Sequence, residues 1–199
     1  MVRYVGLDPS FTNTGVCIID GDAVDTFSIR TSPKDPVFTR QKQACVSVCK
    51  LLHPGDLIAI EDFGMAARHS PSGRFLERIE MCGMLKLLMG QKTRAPWFSC
   101  SPDILKMFIT GRGTAKKEQM VEAVRYIWNQ NVKNDDEADA FALARLCQAA
   151  VTEEEVQGKR RVAVDKFIVH GVNPQGLKRV TFLGLASAPA EPCNRLHAG

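Results

Sequence analysis

Apolar positions open the chain in short runs rather than in helical stripes. Residues 2–8 form one run, broken at Asp8-Pro9-Ser10, and residues 14–20 form a second that ends at Asp20-Gly21-Asp22. Both read as strands bounded by turns. Residues 23–30 alternate weakly through Val24, Phe27 and Ile29, so the first thirty residues predict an antiparallel three-stranded meander with Asp20-Gly21 at one corner. Residues 37–53 then carry helix formers and stop at His53-Pro54-Gly55. Leu57-Ile58-Ala59-Ile60 is too short and too apolar for anything but a buried strand, and Glu61 closes it. A helix from Ser72 to Gly90 has almost no polar face in its second half, so it must be covered on every side, by its own domain or by a second subunit. With 199 residues there is limited material to wrap it, which favours a homodimer.

Residues 95–100 predict another strand, and Ser101-Pro102-Asp103 starts a short helix with proline in its first turn. Gly111-Arg112-Gly113-Thr114 breaks that helix and caps the next, which runs from Ala115 to Trp128. Asp135-Asp136-Glu137-Ala138-Asp139 opens a last apolar helix, with acids in the first turn where the helix dipole favours them. Strands and helices in this order predict an α/β unit over residues 1–150. Residues 151–199 differ in character: acidic Glu153-Glu154-Glu155, basic Lys159-Arg160-Arg161, then alternating RVAVDKFIVHG and RVTFLGL on either side of Asn173-Pro174-Gln175-Gly176. That pattern reads as a basic extension containing a β-hairpin, followed by a floppy tail from Ala186.

Composition narrows the classes only a little. With 45% hydrophobic and 24% charged residues the chain is not mainly disordered, and a net charge of +4 permits a polyanionic partner without requiring one. The seven cysteines are odd in number and sit mostly in apolar runs, which suggests core packing in a reducing compartment. Met1 to Gly6 runs straight into a strand with no leader pattern, and no apolar stretch is long enough for a bilayer. The expected location is the cytoplasm of a bacterial or virus-infected bacterial cell, with no membrane partner.

The candidate chemistry lies in four acids. Singly each has a structural explanation: Asp8 before Pro-Ser is a turn former, and Asp136 suits a helix N-cap. Glu61 is harder to explain that way, because a charge closing an aliphatic strand is costly unless a cation meets it. Asp136 and Asp139 stand three apart at a helix start, which puts both on one face. If the first strand and the strand ending in Glu61 are neighbours, Asp8 and Glu61 project together toward that helix. Oxygen donors without cysteine or nearby histidine select Mg²⁺, or Mn²⁺ in its place, over zinc. Two such ions about 4 Å apart clamp a phosphodiester for hydrolysis.

The strand-borne GLDPS with Thr14-Gly15 following, the strand closing in IED at residues 60–62, and DEADAFALA at residues 136–144 together resemble the RuvC family of Holliday junction resolvases, in the ribonuclease H-like superfamily. The likeness covers about three quarters of the chain. Its most specific piece pairs the final D-x-x-D-A helix with the upstream ILKMFITGRGTAKKEQM. The resemblance implies a mixed five-stranded sheet flanked by helices, and a homodimer that cuts four-way DNA junctions with paired symmetric nicks. It makes Asp8, Glu61, Asp136 and Asp139 the ligands of two Mg²⁺ ions, and makes Lys106 and Lys117 contacts to phosphates. Arg112, Lys116, Arg68, Arg74 and Phe63 join them as candidate DNA contacts. The loop after Glu61 is longer than the family's usual one, and the aromatic held near the junction centre falls at Phe63 or at Phe75. Some members carry histidine where Asp136 stands, so its role is either ligation or proton transfer. Lys159 to Arg161, Lys166, Lys178 and Arg179 either widen the DNA footprint or serve solubility.

Three alternatives keep part of this pattern. A nuclease for flaps, forks or RNA–DNA hybrids shares the carboxylate chemistry, and a monomer would favour it. An actin-like phosphate-loop ATPase also begins with a strand ending in Asp, but needs a second phosphate loop for which 199 residues leave no room. An inactive DNA-binding relative is expected to have lost a carboxylate, and all four are present.

Overall fold

The meander predicted for the first thirty residues is one edge of the sheet. The computed structural model describes residues 2–10, 12–61, 73–94 and 97–170. In it β1 (Arg3–Asp8), β2 (Asn13–Asp20) and β3 (Ala23–Arg30) run antiparallel. The turn between β2 and β3 places Gly21 at φ 61°, a left-handed backbone that suits glycine. Helix α1 (Val37–Leu51) returns the chain so that β4 (Leu57–Glu61) pairs parallel to β1, and helix α2 (Gly73–Thr93) does the same for β5 (Trp97–Cys100) beside β4. The five-stranded sheet therefore has the order β3-β2-β1-β4-β5. Helices α3 (Pro102–Thr110), α4 (Lys117–Tyr126), α5 (Asp135–Val151) and α6 (Lys159–His170) follow.

Side-chain alternation divides the core into two layers. Val5, Leu7, Val16, Ile58 and Ile60 pack with Ala44, Cys45 and Val48 of α1 and with Met81, Leu85 and Met89 of α2. Tyr4, Cys17, Ile19 and Ala59 point to the other side, where α5 lies with α3, α4 and α6 around it. Residues of the same parity as Tyr4 and Ala59, namely Gly6, Asp8 and Glu61, thus belong to the α5 side. The six described cysteines are free, and five of them are buried, as core packing requires.

Helix α5 touches the sheet backbone to backbone. A Cβ at Gly6 would lie 1.9 Å from the carbonyl oxygen of Ala140, and one at Gly15 would lie 2.0 Å from that of Asp136. The helix matches this with small residues, since Ala138, Ala140, Ala142 and Ala144 are fully buried. Its N-cap is Asn134, whose side chain accepts from the Glu137 amide at 2.9 Å. Asp136, a plausible cap by sequence, is thereby left inside the first turn.

The hairpin expected after residue 150 is not what forms at its first arm. Residues 159–170 are helical in α6, and Ala163, Val164 and Phe167 enter the α5-side core. Those three fall at i, i+1 and i+4, so the segment that alternates also presents one apolar helical face. An apolar surface on α3 and β5 receives that face, with the Phe167 and Phe98 rings 5.7 Å apart. The second arm, RVTFLGL, and the tail from Ala186 lie outside the described residues. Among the described residues no helix is long and apolar enough to cross a membrane.

Gly6→Ala tests the close seat of α5. The obstructing atoms are main chain, so the helix must shift, and roughly 3 kcal/mol of stability should be lost in a urea titration. An unchanged unfolding midpoint would contradict the contact.

Candidate active site

The parallel register of β1 and β4 pairs Leu7 with Ile60, so Asp8 and Glu61 come next, side by side, where the two strands end. Both acids face α5, and their carboxyls are within hydrogen-bonding reach of each other. Helix α5 brings Asp139 to the same place from above. Burial pushes the Asp8 carboxyl up to about 6, with the negative charge of Asp136 adding to the rise. Burial, reinforced by Asp8, pushes Asp139 up to about 7. Glu61 is raised well above the usual range by burial, then by Asp8 and Asp139. Asp136 is half-buried and raised by burial, while a hydrogen bond from the Asn13 side-chain amide opposes the rise. All four acids named from the sequence are therefore assembled around the N-terminal turn of α5.

The two other acids of that turn have different work. Asp135 is ion-paired with Lys117, which lowers its carboxyl below the usual range and raises the lysine. Glu137 is buried and satisfied by the Ser28 hydroxyl at 3.1 Å and the Lys133 amide at 2.9 Å, so it ties the helix start to β3. Asn13 is a residue that sequence reasoning missed; its signal lay only in sitting beside the Thr14-Gly15 pair. Arg78 of α2 was missed as well. Its Nη2 is 3.7 Å from Glu61 Oε2 and donates to the Pro9 carbonyl at 3.4 Å.

The basic candidates divide. Lys117, at the start of α4, and Lys106, half-buried on α3, both act electrostatically on Asp139. Arg112 and Lys116 are exposed on the connection between those helices, and no described ion pair ties them to the acids. Phe63 and Arg68 lie outside the described residues, as does the side chain of Arg74; Phe75 is partly exposed at the start of α2. Ser10 and Thr14, in the turn beside Asp8, bond each other and the local backbone: the Thr14 hydroxyl donates to the Ser10 carbonyl at 2.5 Å. They shape the loop.

Four buried or partly buried carboxyls held close are an unfavourable arrangement that a small, hard cation relieves, and oxygen-only donors suit such an ion. As they stand, no three His, Cys, Asp or Glu side chains among the described residues converge into an ion-binding group. Cation binding competes with protons for these oxygens, because carboxyl ligands must be ionised. The pH dependence follows. Folded carboxyls near 6 and 7 hold protons that the unfolded chain, near 3.8, gives up. Their contribution to stability is complete below the unfolded value and is lost as pH rises through the folded values. Without divalent ions the melting temperature should therefore fall on going from about pH 5 to about pH 8, and added Mg²⁺ should raise it more at the higher pH. Equal Mg²⁺ effects at both would contradict the proton competition.

Comparison with known proteins agrees with this geometry. The family model described as crossover junction endodeoxyribonuclease RuvC matches residues 4–147, from the first strand into the last third of α5. RuvC of Thermomicrobium roseum is 29% identical over 151 residues, covering 72% of this chain and 90% of the relative. RuvC of Chlamydia felis is 27% identical over 168 residues, covering 78% of this chain and 97% of its own. Among solved structures, Thermus thermophilus RuvC superposes with a TM-score of 0.55 at 21% identity, over 71% of this chain and 90% of that one. The same protein in complex with a Holliday junction substrate gives 0.58 at 22% identity, over 72% and 91%. The sheet order, the acids at its strand ends and a family match spanning most of the chain lead to one conclusion: the protein belongs to the RuvC family of crossover junction endodeoxyribonucleases, a family of metal-dependent nucleases.

Proposed function

We propose that the chain resolves four-way DNA junctions by hydrolysing phosphodiesters at the Asp8, Glu61, Asp136 and Asp139 cluster. The observation that carries this reading is the meeting of Asp8, Glu61 and Asp139 at the strand ends, under the N-terminal turn of α5. The fit is to two Mg²⁺ ions, with Mn²⁺ able to substitute. Bound there, such ions would supply Lewis acidity for attack of water on phosphorus and for departure of the 3′ oxygen, with a 5′-phosphate and a free 3′-hydroxyl as products. The protein's own part is positional. The Asp8–Glu61 pair and Asp139 hold the donor oxygens on three rigid elements, Asn13 orients Asp136, and the positive end of α5 faces the incoming phosphate. Lys117 and Lys106 flank the acids on the α3–α4 side and suit the phosphates next to the scissile one. Arg112 and Lys116 extend that basic edge outward, and Arg68, Arg74 and Phe63 complete the proposed DNA contacts.

Paired cuts need two matched sites, and α2 supports a homodimer. Its outer face exposes Leu76, Ile79 and Leu87 at 65%, 42% and 64%, an apolar stripe interrupted by Gly83 and Gly90, around which a Cβ would meet nothing. A second copy of the same helix fits such a stripe, and the match of side-chain size is self-complementary.

Two experiments test the reading. Purified protein and an Asp8→Asn variant are incubated with a synthetic four-way junction, a flap, a linear duplex and an RNA–DNA hybrid, with Mg²⁺ or EDTA. Symmetric nicks confined to the junction, reduced by at least about 10³-fold in the variant, are expected; activity surviving in the variant would overturn the site, and equal cutting of linear duplex would overturn the substrate. In the second, Leu87→Arg should sediment as a monomer and lose paired nicking, whereas an unaltered dimer would move the interface elsewhere.

A further inference from the structure

Strands β1 and β4 are held together by their ladder only as far as Leu7 and Ile60. One residue beyond, where the ladder has ended, stand Asp8 and Glu61, two acids whose ionised forms repel each other. Each acid is held on its outer side, Asp8 opposite Gly15 of β2 and Glu61 opposite Cys100 of β5. Arg78 spans the gap between them. It comes from α2, on the opposite face of the sheet from α5, and its Nη2 meets both strand ends at once: the Pro9 carbonyl, next to Asp8, at 3.4 Å, and Glu61 Oε2 at 3.7 Å. The helix that carries it is itself fixed, because Met81, Leu85 and Met89 are buried against α1 and the sheet, and Gln41 of α1 donates to the Glu77 carbonyl at 2.7 Å.

We infer that Arg78 is a positioning residue for the divalent-ion site: it staples the ends of β1 and β4 and orients Glu61 for ligation. The inference rests on the reading of Asp8 and Glu61 as ion ligands. Outer donors of this kind fix a ligand's rotamer, and losing one typically weakens ion binding by about 10- to 100-fold. Charge alone makes the opposite demand, since removing a cation from beside a cation site strengthens binding. The sign of the effect therefore separates the two roles. Arg78 also favours the ionised forms of Asp8 and Glu61, so the comparison belongs at a pH where every carboxyl is ionised.

Mn²⁺ binding is measured without DNA by electron paramagnetic resonance, counting free ion, at about pH 9. Wild type is compared with Arg78→Gln, Arg78→Lys and Asp8→Asn, each checked for a cooperative melt. The expected results are binding weakened by about 10-fold or more in Arg78→Gln and by a few-fold in Arg78→Lys, which keeps the charge but loses the fork. Affinity at or above wild type in either variant that folds overturns the inference. Wild-type affinity in Asp8→Asn is a different failure, that of the ion-site reading itself. Arg78→Lys preserves the charge balance, so it remains decisive should Arg78→Gln fail to fold.

Discussion

The arrangement at the strand ends depends on how closely helix α5 lies on β1 and β2. Where a helix usually rests on a sheet through interleaved side chains, α5 rests at Gly6 and Gly15 on bare backbone, and its own contact residues are alanines. The approach sets the height of the first turn above the sheet, and hence whether Asp136 and Asp139 come within range of Asp8. Gly15 is the residue opposite Asp8 in the β1–β2 ladder, so the helix is seated beside the acid that it must meet. A larger residue at either glycine would lift the whole acidic turn.

That seat brings like charges together in a place where water is scarce, which raises Asp8, Glu61 and Asp139 alike. The fold tolerates the cost because the compensation is spread over independent elements. The α5 terminus contributes partial positive charge. Lys117 and Lys106 stand on one side and Arg78 on the other. Of the four acids in DDEAD, two are fully compensated and structural: Asp135 by Lys117, and Glu137 by Ser28 and Lys133. The remaining two are left with raised affinity for positive charge. Stability and chemistry are thus divided residue by residue within five positions.

Much of this could be read from the sequence, because strand parity and helix phase are local. The aliphatic run ending in Glu61 was costly to explain without a cation, and the spacing of Asp136 and Asp139 put them on one face. Asn13 and Arg78 were not legible, since their roles come from tertiary neighbours: Asn13 meets an acid 123 positions away, and Arg78 looks like any polar residue in the first half of an apolar helix. Asp136 looked like a cap because an acid run offers several, and only the backbone of Asn134 decided which one served. Residues 159–170 were misread for a related reason, as an alternating pattern with apolar positions at i, i+1 and i+4 satisfies two periods and the available neighbour chooses between them. The expected homodimer rested on an apolar helix, and α2 reconciles both options: one face is core, the other is exposed.

Helix α6 has a wider meaning. The family match ends at residue 147, yet Arg160 donates to the carbonyls of Phe108 and Ile109, at 3.0 and 3.3 Å, and its guanidinium lies 5.4 Å from the Trp128 ring. The last turn of α3, the helix that bears Lys106, is therefore closed by a side chain supplied from outside the family's shared portion. The helix also encodes its own stop, since Gly111 takes a left-handed backbone at φ 77° and its amide donates to the Met107 carbonyl, so Arg160 meets the two carbonyls that follow. A change that unseats α6 would therefore uncover two carbonyls at the end of the helix that carries Lys106.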